Sequence, residues 1–266
     1  MDLLAVGEVM VDVVAPPAEP GRNHAPIALR AGGSAINAAQ AAAALGAKAT
    51  VVARVGADPA GALLRATLLD AGVKPRFAVD GKLPTGCFVQ VGERIVADRG
   101  ANAAFAVDDL GMLEADVVLV SGYLLLIEET AAAATAALEA PAEWVGVDVA
   151  SAGLAARDDA RERLEPARVL FANADEAAAL TGREPEAAAR ELAKTHEVVV
   201  VKLGPEGALG TTGNGLVRGP AALSEPWLGD GDAFDAGVLV GLARGFDLQA
   251  ALTLGAEAAA RARTTV

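Results

Sequence analysis

Asp230 and Asp232 stand among glycines in WLGDGDAFDAGVLVGLARG, residues 227–245, directly before an apolar run. Within that run Phe234, Val238, Leu239 and Leu242 recur at helical spacing, so the aspartates fall where a loop becomes a helix. A helix start carries backbone N–H groups with no acceptor inside the helix, together with partial positive charge, and therefore attracts anions. A carboxylate beside a bound anion is unfavourable unless it has a task. One task is to take the proton of a hydroxyl that attacks phosphorus. The other reading of Asp232 is a helix cap, and local sequence leaves both open. A calcium loop is disfavoured, because Asp230, Asp232 and Asp235 miss the alternating ligand spacing.

A second stretch, residues 31–73, begins AGGSAIN. Gly32 and Gly33 allow a ligand close to the backbone, and Asn37, in the first turns of the following helix, can hydrogen-bond a polyol. An ordinary loop and an exposed asparagine fit the same letters. Arg99, in an alternating stretch, is either a surface arginine or a bidentate contact for an acidic ligand. His24 and His196 stand alone and are read as non-catalytic.

Elements that could position these groups alternate along the chain. Strands are expected at Leu3–Val6, Thr50–Ala53, Val117–Val120, Val145–Val149, Val169–Ala172 and Val198–Leu203. Helices are expected at Ser34–Leu45, Ala60–Asp70, Glu129–Leu138, Arg157–Leu164, Asp175–Leu180, Glu186–Lys194, Ala233–Arg244 and 248–262. Most of the strands are continuously apolar, as in sheets covered on both faces, which predicts an α/β fold with a mostly parallel sheet between helices. Residues 15–30 and 83–100 break this rhythm and predict a small separate sheet, a lid.

The 266 residues suffice for one large core. Only 3% of them are aromatic, so alanine and valine do much of the packing. A net charge of −13 gives no general attraction for nucleic acid or anionic membrane. Cys87 is the one cysteine, which rules out an intrachain disulfide. The start has no basic segment of the kind that opens a signal peptide, and the longest apolar run, 117–127, is too short to span a bilayer. A cytoplasmic protein is expected.

Together the two glycine-rich stretches resemble the signatures of the ribokinase-like family of carbohydrate kinases, the phosphofructokinase B type. The first is similar to the family's GG-x-x-x-N helix and its V-G-x-D-x-x-G turn, here Val55, Gly56, Asp58 and Gly61. The second is similar to G-A-G-D-x-F, here Gly229, Asp230, Gly231, Asp232 and Phe234. Also in order come GEVMVD (7–12), RGAN (99–102), SGY (121–123), NADEAAALTG (173–182) and KLGPEG (202–207).

The resemblance implies a three-layer α/β/α sandwich, one unit over 1–266, with lid strands inserted at about 12–31 and 84–100. It implies an ATP-dependent kinase, with Mg2+, acting on a small sugar or sugar acid of the ribose, fructose or 2-keto-3-deoxygluconate type. Asp232 would be the base, and the amides of Gly229, Asp230 and Gly231 the anion hole. Asp12, Gly32, Gly33, Asn37 and Arg99 would bind substrate. Asn173, Lys202, Gly204 and Gly207 would bind nucleotide, and Glu176 would serve the metal, although Asn173 and Glu176 equally fit a helix cap followed by a solvated Glu. The lid strands can also pair between two subunits, which leads to the expectation of a homodimer through the lid.

The chain departs from the family pattern in three places. Pro226, Trp227 and Leu228 replace the usual D-T-x, which puts the family's monovalent-cation (K+) site in doubt. Trp227 is either a lid over the site or a core anchor. Asp230 replaces an alanine beside the phosphate site, and the chain ends soon after helix 248–262. A nucleoside kinase of the same fold and a degenerate, non-catalytic binding member are the rival readings. A dinucleotide oxidoreductase is disfavoured, because no G-x-G-x-x-G follows the first strand.

Overall fold

The computed structural model describes residues 1–19, 21–221 and 228–262, so Pro226 and Trp227 lie outside the described residues. The chain runs β1 (Asp2–Val6), β2 (Met10–Ala15), β3 (Ala28–Gly32), α1 (Ser34–Ala44), β4 (Lys48–Gly56), α2 (Pro59–Asp70) and β5 (Lys74–Asp80). It continues through β6 (Gly86–Val91), β7 (Arg94–Asp98), β8 (Val117–Ser121), α3 (Gly122–Leu125), α4 (Glu128–Leu138), β9 (Trp144–Asp148), α5 (Ala152–Ala155) and α6 (Ala160–Leu164). It closes with β10 (Val169–Asn173), α7 (Ala174–Thr181), α8 (Pro185–Leu192), β11 (Val198–Lys202), β12 (Ala208–Thr211), β13 (Leu216–Gly219), α9 (Asp230–Ala243) and α10 (Leu248–Ala262).

Among the described residues nine strands form one sheet in the order β13-β12-β11-β10-β9-β8-β1-β4-β5. All neighbours are parallel except β11–β12 and β12–β13. Alternate residues of each strand feed opposite cores. Leu3, Ala5 and Phe171 pack with α1, α9 and α10, while Leu4, Val6 and Leu170 pack with α4, α7 and α8. Burying one such large side chain contributes roughly 1.5–3 kcal/mol. The result is the expected three-layer sandwich. After β1 the chain moves to β4 and β5 on one side, and later to β8 on the other. Parallel sheets hold ligands at the C-terminal strand ends beside such a reversal.

The helix expected at 157–164 begins only at Ala160, because Asp158 and Asp159, poor helix formers, occupy the turn before it. Strand β5 went unforeseen: Pro75 disguises it, and proline is tolerated there because β5 is an edge strand.

α9 is buried almost all round, from Ala233 to Leu242. A Cβ on Gly237 would come within 2.7 Å of the Gly255 backbone, and one on Gly241 within 2.9 Å of the Ala251 backbone. These two glycines let α10 lie hard against α9, which fixes the start of α9 in space.

The alternating segments form a second sheet, β3-β2-β6-β7, matching the lid component of the expected fold. β2–β3 and β6–β7 are antiparallel, and β2–β6 is parallel. Val13, Leu29, Val89 and Val96 stand in register across all four strands, with Leu29 65% and Val96 71% exposed.

Candidate active site

Gly229, with φ 97°, turns the chain into α9. A Cβ there would meet the Asn37 amide at 2.8 Å. The first backbone bond of the helix runs from Ala233 N to Gly229 O, 3.1 Å, so the N–H groups of Asp230, Gly231 and Asp232 have no acceptor within the helix. Asp232 does not cap the helix. Its Oδ2 accepts a 2.8 Å hydrogen bond from Asn37 Nδ2, across 195 residues of sequence. Burial, followed by the charge of Asp148, pushes the Asp232 carboxyl up to about 6; Asn37 and Lys202 pull it back, and Asp12 adds to the rise.

Lys202 ends β11 directly beneath this turn. Its Nζ donates to Asp148 Oδ1 and to Asp235 Oδ2, both at 2.8 Å. A Cβ on Gly231 would lie 3.3 Å from the same nitrogen. The ammonium is thus clamped by two aspartates, under the helix start. Burial works against the charge on Lys202, but the two carboxylates outweigh it and hold its pKa above the ordinary lysine value. Asp148 and Asp235 were not foreseen as site residues. The one available signal was a charge closing the apolar strand VGVD.

Asp12, on β2, is 6% exposed, and burial pushes it up to about 6 against the opposing charge of Arg30. A Cβ on Gly32 would fall 2.1 Å from the Asp12 carboxylate, and one on Gly33, where φ is 93°, 2.3 Å from Glu8 O. Both glycines are therefore demanded by close approach, Gly32 to Asp12 and Gly33 to the backbone after β1. Asp12, Arg30, Asn37, Gln40, Gly229 and Arg261 are among the residues lining a cavity of about 330 Å³. Asp12, Asn37 and Gly229 thus share one cavity, and Asp232 lies behind Asn37.

Arg99 is half-buried and ion-paired. Its Nε donates to Glu8 Oε1 at 2.7 Å, and Glu8 is 3% exposed. Asn102 completes the joint, with Oδ1 accepting from Val9 N and Nδ2 donating to Val9 O and Arg99 O. The RGAN segment thus ties the end of β7 to the linker between β1 and β2. Tyr123, 39% exposed, was also unforeseen. Burial raises its phenol, and so do the charges of Glu8, Glu176, Asp148 and Asp232.

Asn173 and Glu176 form a reciprocal cap: Glu176 N donates to Asn173 Oδ1 at 2.9 Å, and Asn173 N to Glu176 Oε2 at 2.8 Å. The cap is as expected, but Glu176 is not solvated. It is 4% exposed, and its pKa is raised by burial and by Asp148. Among the described residues no group of three or more His, Cys, Asp or Glu could hold a metal ion. Gly204 and Gly207, with φ 58° and 86°, turn β11 into β12 at the same edge as Lys202. His196 is buried, with Nδ1 2.9 Å from Ala167 O. No described helix is long and apolar enough to cross a membrane.

The model of the family described as pfkB family carbohydrate kinase matches residues 1–266. No match was found among curated proteins. Among solved structures, the PfkB protein from Polaromonas sp. JS666 is 27% identical, with a TM-score of 0.83 over 99% of this chain and 96% of that one. A probable sugar kinase protein from Rhizobium etli CFN 42 is 22% identical, with a TM-score of 0.85 over 97% and 92%. The adenosine kinase from Sinorhizobium meliloti is 23% identical, with a TM-score of 0.82 over 97% and 92%. The last two likenesses show the fold alone.

Proposed function

Because the chain belongs to the pfkB family of carbohydrate kinases and is a phosphotransferase, we propose that it transfers the γ-phosphoryl group of ATP to a hydroxyl of a small sugar or sugar acid. The observation that carries this reading is the Asp232 carboxyl, held by Asn37 in the first turn of a helix whose leading N–H groups have no intrahelical acceptor. Asp12 accepts from the sugar's hydroxyls, and Gly32 leaves room for its carboxylate. The acceptor hydroxyl meets Asp232. As its oxygen bonds to phosphorus and the bond from phosphorus to the leaving nucleotide breaks, its proton passes to Asp232. The amides of Gly229, Asp230, Gly231 and Asp232 face the charge that develops on the phosphoryl group, the largest contribution such a site makes.

Asn173, Gly204 and Gly207 lie at the same sheet edge as Lys202 and suit the nucleotide. Magnesium fits through Glu176, whose Oε2 is committed to Asn173 N while Oε1 remains to face the ion's water shell. When bound, the ion supplies charge neutralisation between the phosphates. Arg99, neutralised by Glu8, offers the acceptor a polar wall and no net positive charge. Residues 1–266 act as one unit, and the four-stranded sheet closes over the sugar and excludes water.

Differential scanning fluorimetry across sugars, sugar acids and nucleosides, with and without a non-hydrolysable ATP analogue, tests this reading, followed by turnover on each hit. One sugar or sugar acid is expected to raise the melting point and to be phosphorylated. Phosphorylation of a nucleoside but of no sugar overturns the acceptor class. Binding without turnover of any ligand overturns the kinase reading.

The row Val13, Leu29, Val89 and Val96 supports a homodimer in which the small sheets of two copies cover each other. Val96→Glu is expected to give a monomer in sedimentation velocity where the unchanged protein is a dimer. A monomeric unchanged protein sinks the dimer.

A further inference from the structure

At the reversal between β1 and β8, Asp232 shares a small pocket of about 10 Å³ with Ser34, Ser121 and Asp148, together with apolar residues that include Ala5 and Leu119. The hydroxyl oxygens of Ser34 and Ser121 are buried, and neither has a hydrogen-bond partner among the described residues. Ser121 is only 4% exposed. The two serines come from different elements, the start of α1 and the end of β8, and converge over Gly7. A Cβ on Gly7 would lie 3.1 Å from Ser34 Oγ and 3.1 Å from Ser121 Cβ. Buried hydroxyls without partners are costly, and two facing one small space need a common occupant.

We infer that one water molecule is bound between Ser34 Oγ, Ser121 Oγ and the carboxylates of Asp148 and Asp232, and that the two serines position the base through it. A void of about 10 Å³ is the smallest that admits a single water, and buried waters make two to four hydrogen bonds. Here the count closes. The two serine hydroxyls donate to the water's lone pairs, and its two hydrogens go one to each carboxylate. Asp148 and Asp232 repel each other, and Lys202 Nζ, bonded to Asp148 and Asp235, has no hydrogen bond to Asp232. The water supplies a donor between the two. Asp232 is then held by Asn37 on one side and by the water on the other, facing the charges of Asp148, Lys202 and Asp12. No bond is made or broken in this role. Ser34 and Ser121 act on the orientation and ionisation of the carboxylate, and they touch neither substrate.

The inference rests on Asp232 being the base, so Asp232→Asn is run beside it. The test is Ser34→Ala, Ser121→Ala and the double variant, measured as kcat/KM against pH, with a high-resolution crystal structure of the unchanged protein. The structure is expected to show one water within hydrogen-bond distance of both serine oxygens. Losing its donors weakens the ionised form, so the acid limb of the double variant should move up by about 0.5–1 pH unit, while KM for ATP stays unchanged. Ser121→Thr, which keeps the hydroxyl, should leave the limb in place. A void without water, or a limb that stays put in the double variant while Asp232→Asn is inactive, overturns the inference alone. Full turnover by Asp232→Asn overturns the base and the inference together.

Discussion

Replacing Asp232 with Asn is expected to lower kcat/KM by about 10²–10⁴-fold, the usual contribution of a positioned base, and to make the folded protein more stable above pH 6. The two effects share one cause. In the folded state the Asp232 carboxyl titrates at about 6, above its ordinary 3.8, because burial and Asp148 oppose its charge. A carboxyl raised in this way favours the folded state while protonated. That advantage is whole below about pH 4, is lost as the pH rises through 6, and is absent at neutral pH. Since the side chain is half-buried, the charge costs about 1–3 kcal/mol there, or several degrees in melting temperature. Asparagine keeps the shape and can still accept from Asn37 Nδ2, but it cannot ionise. Thermal melts from pH 4 to pH 8 should show the variant gaining several degrees on the unchanged protein at pH 7–8, with the gap closing towards pH 4. The unchanged enzyme should lose activity about tenfold per pH unit below 6. A destabilised Asp232→Asn would mean that the carboxylate serves packing rather than proton transfer, and unchanged turnover would remove it from the mechanism.

Asp232, Asn37 and Gly32 stood out because each sits in a local pattern, a glycine turn or glycine pair at the start of an apolar helix, while Asp12 entered only through the family resemblance. What those residues bond to was not legible. Asn37 reads as a sugar ligand, yet its amide holds Asp232 from 195 positions away, a pairing set by the way α10 seats α9 against α1. Asp148 closes an apolar strand and reads as strand end. Asp235 sits inside the helical run and entered the sequence reading only as a residue out of step with calcium-loop spacing, while the fold makes it the second carboxylate on Lys202. Arg99 and Glu8 stand 91 residues apart, and only strand order brings them together. The same holds for the architecture. Continuous apolar runs disclosed the parallel strands and period-two alternation disclosed the small sheet. The edge strand β5 stayed hidden, because Pro75 carries the local signature of a break.

Lys202→Met carries the second large expectation, because one nitrogen serves two tasks. It neutralises Asp235, which is fully buried, and it places a positive charge under the amides that open α9. The lysine's pKa is raised in the folded state, so its stabilising share is fully present at neutral pH and fades only as the pH climbs past the ordinary lysine value. Removing one member of a buried pair leaves the other uncompensated, at a cost of about 3–5 kcal/mol. For a chain of this size that corresponds to a melting point lower by about 10 °C. Asp235 can relieve part of this cost by taking a proton. Turnover should fall by about 10²–10³-fold, the loss seen when one charge-stabilising group is removed. The acid limb should also move to higher pH, because Lys202 is one of the groups holding Asp232 down. Adding Asp235→Asn separates the two tasks. The double variant should recover much of the lost melting temperature, since the fully buried Asp235 charge is gone and only the partly exposed Asp148 is left without its partner, yet turnover should stay low. Recovery of both together would show that Lys202 acts through stability alone, and a Lys202→Met protein with an unmoved pH profile would show that its charge does not reach the base.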